Sequence, residues 1–95
     1  MHGAIPATPV ALTGADQAVA TSRTTYRGIT VRETAGAVAT VRVFDNASAA
    51  TGTLLDSIAL AAGASLSLLY VGGLSARNGV YVDVTGAVEG SVRIA

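Results

Sequence analysis

The chain has 95 residues, six arginines, no lysine, six acids and a formal net charge of zero. That length accommodates one small domain and excludes a two-domain enzyme. The charge balance leaves no electrostatic footprint for nucleic acid or an anionic membrane. Cysteine is absent, which excludes disulfides, thiolate nucleophiles and Cys-based metal sites. Hydrophobic residues make up 51% but aromatics only 4%, so the core must be built from Val, Leu, Ile and Ala.

Residues 1–20 differ from the rest: rich in Ala, Pro and Thr, with no clear period. Pro6 and Pro9 interrupt any apolar helix there, and no Lys or Arg supplies the basic region of a secretory signal. They read as an extended N-terminal arm, ending in a short strand near Gln17 to Thr21, ahead of a β-sandwich domain over 21–95. Ile5, Val10 and Leu12 would be out of place in a purely solvated tail. They are the candidate interface residues, expected to be ordered through contact with another chain.

From Thr24 onward, short alternating segments are separated by glycine. Thr25 to Glu33 sets Ile29 and Val31 on one face. Ala37 to Phe44 does the same with Ala39, Val41 and Val43. Asp45 to Gly52 is a loop of small polar residues. In Thr53 to Leu60, the alternation that buries Leu54, Ile58 and Leu60 also buries Asp56. A bulge between Leu55 and Ile58 would release that acid to solvent. Ala64 to Tyr70 is the next strand, and Gly72 to Gly79 reads as a long loop. Val80 to Thr85 and Val88 to Ile94 complete the series. If these last two pair as a hairpin, parity demands an odd loop. A five-residue loop sets Tyr81 opposite Arg93, with Asp83 diagonal to it.

Six to seven short strands at this spacing indicate an all-β fold, an antiparallel β-sandwich of jelly-roll-like form. The expected core is Ile29, Val31, Val41, Val43, Ile58, Leu60, Leu66, Leu68, Val80, Val82, Val84 and Val92. The uncharged run Ser57 to Ala76 is long enough to span a bilayer. Gly63, Gly72 and Gly73 interrupt it, however, and Ser65 and Ser67 alternate with Leu66 and Leu68, which is a strand period.

Residues able to carry chemistry are few. His2, the one histidine, lies at a terminus that supplies no fixed partner. No Ser-His-Asp set, HExxH or paired glutamates can be assembled, so no enzyme and no catalytic residue is expected. Asp45, Asn46, Asp56 and Asp83 are the only candidates for oxygen ligands to a cation. EF-hand spacing is absent, and an Asx-turn at Asp45 with surface roles for the other acids is expected. No cofactor or metal is therefore expected. Gly72-Gly73 and Asn78-Gly79 lack the Lys and helix of a phosphate loop. Tyr26, Tyr70 and Tyr81 are too few and too scattered for an obvious sugar platform. Arginine without lysine suits bidentate pairs at protein interfaces, and equally suits a GC-rich genome.

The stretch from Tyr26 to Arg93 carries YRGITVRETAGAVATVRVFDNASAATGTLLDSIALAAGASLSLLYVGGL and the ending NGVYVDVTGAVEGSVRIA. In these motifs it resembles small virion proteins of tailed bacteriophages, particularly those of actinobacteria. The shared pattern is a TVxVxD strand, a GTLL segment, an LAAG turn, a GG loop and a GVYVxVTG hairpin, over roughly three quarters of the chain. The resemblance implies a capsid decoration (cement) protein that binds and stabilises the phage head from the capsid surface of the virion. The implied partners are its own copies, as a homotrimer, and the major capsid protein. It implies no active site, nucleic-acid partner or membrane partner. The alternative is a small binding or adhesion module for carbohydrate or a host surface, on a phage tail or a secreted protein.

Overall fold

Each alternating segment becomes a strand in the structure, a computed structural model that describes residues 6–95. These residues form β1 (Thr8–Ala11), β2 (Gln17–Ala20), β3 (Thr24–Glu33), β4 (Ala39–Asp45), β5 (Thr53–Leu60), β6 (Ser65–Ala76), β7 (Val80–Thr85) and β8 (Val88–Ile94). No helix among them is long and apolar enough to cross a membrane. Two four-stranded antiparallel sheets, ordered β1-β8-β3-β6 and β2-β7-β4-β5, face each other. The first half of the chain pairs with the second in reverse: β1 with β8, β2 with β7, β3 with β6, β4 with β5. Successive pairs fall in alternate sheets, and β3–β8 and β4–β7 contacts close the roll. One ribbon wound in this way is a jelly roll, which limits each sheet to two free edges.

Side-chain alternation dictates the core. Nine of the twelve expected core residues are buried, and Leu66, Leu68 and Val84 pack half-buried against them. Tyr26, Ala39, Ala76 and Val88 join the core. With so few aromatics, small and branched side chains fill the space between the sheets. Close strand packing also needs two glycines. Gly28 and Gly90 sit at φ +139° and +148°, and a Cβ on either would collide with a backbone carbonyl oxygen, of Leu68 and Thr30 respectively.

The strand pairing departs from several expectations. The described residues hold eight strands, because β1 forms within what reads as an arm. Pro9 masks it in the sequence, but β1 is an edge strand, where proline is tolerated. Sandwich and arm therefore do not divide at residue 20: β1 extends one sheet through β8, and β2 extends the other through β7. The chain from Gly72 to Ala76 belongs to β6 rather than to a long loop. The final hairpin does not form, because β7 and β8 lie in opposite sheets. Tyr81 pairs with Phe44 and Ala18, and Arg93 with Pro9 and Gly28. An odd hairpin loop is required only of strands that share a sheet as well as a core. In a sandwich two strands can face the same core from opposite sides. The bulge on β5 lies at Leu55, since Val43 pairs with Asp56 and Phe44 with Leu54. Leu54 is thereby turned outward and Asp56 stays on the inner side with Ile58 and Leu60.

Deleting residues 1–13 removes β1 and Leu12, which packs on the core and donates its N–H to the Gly90 carbonyl at 2.9 Å. The truncated chain should stay folded but lose about 2 kcal/mol or more, the order of one buried leucine plus a strand pairing. A urea titration checks this; an unchanged midpoint would show that β1 contributes nothing to the sandwich.

Candidate functional site

The consecutive strands β5 and β6 lie at free edges of opposite sheets. β6 is not regular: Gly28 pairs with Leu69 and Tyr26 with Leu74, so Tyr70 to Gly73 stand opposite Arg27 alone. The surplus residues project from the edge. Gly72 and Gly73 turn the chain at φ +80° and +77°, and Gly73 leaves room for the Thr25 and Arg27 side chains beneath it. Val71 at the tip is 97% exposed and Leu69 at the base 70% exposed, while Leu54 on β5 is also solvated. Large apolar side chains this exposed at neighbouring positions are the kind of surface that other proteins bury.

The base of the projection is tied across the sandwich. The Tyr26 hydroxyl donates to Asp56 Oδ2 at 2.7 Å and the Tyr70 hydroxyl to Asp56 Oδ1 at 2.6 Å. The two rings lie 5.8 Å apart, tilted by 46°, within the range of favourable aromatic pairs. Burial, then the Asp56 carboxylate, raises the Tyr26 phenol well above its ordinary range. The Asp56 hydrogen bond, then burial, pushes Tyr70 up to about 12. Both therefore stay protonated donors at neutral pH. β3 and β6 belong to one sheet and β5 to the other, so a single carboxylate fastens the projecting strand to the opposite layer.

Asp56→Ala strands the hydroxyl of the fully buried Tyr26. Leaving such a group unsatisfied costs about 1–3 kcal/mol. Asp56→Asn keeps a carbonyl acceptor for one hydroxyl and should fall between wild type and alanine. Thermal denaturation of the three proteins checks the order; equal melting of all three would show that the clasp carries no stability.

The other candidates scatter. Asp45 accepts the Asn78 N–H at 2.8 Å, and it is Asn46, not Asp45, that makes the Asx-turn, accepting from Ser48 and Ala49. Asp83 pairs with Arg42 at 2.6 Å, and that guanidinium lies 5.2 Å from the Phe44 ring centroid. Among the described residues no three His, Asp or Glu gather as for a metal ion. Tyr81 lies on the sheet opposite Tyr26 and Tyr70, so the three tyrosines share no stacking face. His2 and Ile5 lie outside the described residues. Val10 pairs with Val92 within the sandwich and Leu12 packs on its core, so both serve the chain's own domain.

Glu33 is an organising residue outside the candidates that the sequence offers. Its carboxylate is buried and accepts the N–H groups of Gly63 at 2.7 Å, Ala35 at 2.5 Å and Gly36 at 2.9 Å. It thus joins the β3–β4 turn to the β5–β6 turn. The Gly63 bond and its companions hold the Glu33 carboxyl below its ordinary range, against the opposing effect of burial. The signal was present: Glu33 follows Ile29 and Val31 at a period of two, just ahead of the Ala35-Gly36 turn.

The site has no paired nucleophile and base. It presents apolar side chains on a braced edge. Comparison with known proteins adds no relative: no family model, curated protein or solved structure matches the chain.

Proposed function

We propose that this chain is a structural virion protein, a capsid decoration (cement) protein that stabilises a phage head by contact with the major capsid protein and with its own copies as a trimer. The observation that carries this reading is the apolar projection at Leu69 and Val71, braced through Tyr70 and Asp56 on a jelly roll. Jelly rolls build both capsid and lectin domains. The dispersal of the tyrosines favours the first, because a sugar-binding face would need exposed rings in one place. Zero net charge lets many copies crowd on one particle without strong mutual repulsion. Docking falls to the projection, since Val10 and Leu12 are used within the sandwich.

The test is the composition of purified virions from the source of the gene. Mass spectrometry should find the protein in many copies per particle, and cryo-electron microscopy should place it on the head. Absence from virions, or location at the tail with binding on a glycan array, would replace this reading with the adhesion module.

A further inference from the structure

The two charge signs are deployed differently. Each of the six acids is engaged within the chain. Asp16 accepts the Val84 N–H at 2.8 Å, Asp45 that of Asn78, Asp56 the two tyrosine hydroxyls, and Glu33 its turn amides. Asp83 holds Arg42, and Glu89 faces Arg32 at 3.8 Å. Among the described residues no carboxylate lies within 4.0 Å of Arg23, Arg27 or Arg77, since the only ion pairs are those of Arg32 and Arg42. Arg27 also encloses its Nε without a hydrogen-bond partner.

These three arginines belong to one region. Thr24 pairs with Ala76, so Arg23 and Arg77, the exposed residues just beyond them, flank the same end of the β3–β6 ladder. Arg27 stands opposite the surplus residues of β6, its side chain beneath Gly73. It therefore lies between that end and the apolar Leu69 and Val71. We infer that the β3–β6 edge, from Arg23 and Arg77 through Arg27 to Val71, docks a segment of another protein that combines carboxylates with apolar side chains.

Charge complementarity selects this occupant. A second copy of the chain meets this need poorly: Glu33, Asp56 and Asp83 are engaged in its own fold, Asp16 and Asp45 each have one oxygen taken by a backbone N–H, Glu89 faces Arg32, and among the described residues no three acids gather in one place. The partner must therefore bring its own carboxylates, and arginine binds them in fork geometry. Nucleic acid would meet the arginines but leave Leu69 and Val71 in water, as the phosphate backbone has no use for aliphatic side chains. The inference rests on the docking role proposed above for the partner being a protein, and it gives that partner its chemistry.

The experiment uses the full chain and a labelled peptide alternating leucine and glutamate, followed by fluorescence anisotropy at physiological ionic strength. Saturable binding is expected. It should weaken about tenfold or more in R23A/R77A, as when interface arginines are truncated, and further in R23A/R27A/R77A. Arg32→Ala, which removes an already paired arginine, should leave it unchanged. The same peptide with glutamine for glutamate, or alanine for leucine, should bind poorly. R23A/R77A changes only exposed residues, so it tests the inference even if replacing Arg27 disturbs the bulge. The inference is overturned by absence of saturable binding, by equal affinity in R23A/R77A, by indifference to the glutamine exchange, or by tighter binding of oligothymidylate. A failed peptide assay with the protein present on phage heads removes this surface alone. Absence from virions removes the cement reading and leaves the peptide result standing.

Discussion

The Val82→Asp variant is expected to be unfolded. Val82 has no exposed surface, and β7 runs between β2 and β4, with Val82 paired to Gln17 and Val43. An aspartate there would either carry an uncompensated charge in a core of aliphatic side chains or be forced to protonate. Either route costs several kcal/mol. Whole-protein stabilities are roughly 5–15 kcal/mol, and a small domain sits toward the lower end. The cooperative melting transition should therefore vanish in circular dichroism. Val82→Ala, which removes volume without adding charge, should melt cooperatively at a lower temperature. A normal transition for Val82→Asp would refute the inward phase of β7.

The second large effect belongs to Glu33. Glu33→Gln removes the charge that three backbone N–H donors share, and its amide NH2 would turn a further donor toward them. At neutral pH the variant should melt several degrees below wild type. The sign of the pH dependence follows from the lowered folded-state pKa. The stabilisation is fully present above the unfolded value, near the ordinary 4.5, and is lost as the pH falls through the lower folded value. The gap between wild type and Glu33→Gln should therefore be constant from neutrality down to about pH 5 and close in stronger acid. Melting curves of both proteins across that range report it, and the other acids cancel in the difference. A gap that widens on acidification would mean that Glu33 is not held as a carboxylate.

Both effects concern how two sheets are kept together, and the sequence speaks unevenly about that. Ile29 and Val31, Val41 and Val43, and Val80 and Val82 alternate with polar residues, and all six are buried. The period alone assigned them to strands and to an inner face, because successive side chains on a strand point to opposite sides. The glycine turns and the missing helical stripe then limited the fold to a sandwich or barrel.

Site residues were less legible. Asp56 looked like a phasing error to be relieved by a bulge; instead Tyr26 and Tyr70, 30 and 14 residues distant in sequence, converge on it. Leu69 read as an ordinary strand residue and Val71 fell between that strand and the expected loop, because their exposure depends on the surplus chain opposite Arg27. The availability of Arg23, Arg27 and Arg77 became visible only once every acid had found its partner.

Strand class, most of the inner face and the aliphatic character of the core are legible from residue order alone. These follow from local periodicity and side-chain type, and each is a property of a few adjacent residues. Tertiary structure alone decided that β7 and β8 separate into opposite sheets, that Thr8–Ala11 is a strand, and that Asp56 and Glu33 face inward as hydrogen-bond acceptors. Those outcomes depend on which distant strand supplies the neighbouring backbone and donors, and alternation carries no information about pairing partners: a β-strand presents the same period whichever strand lies beside it.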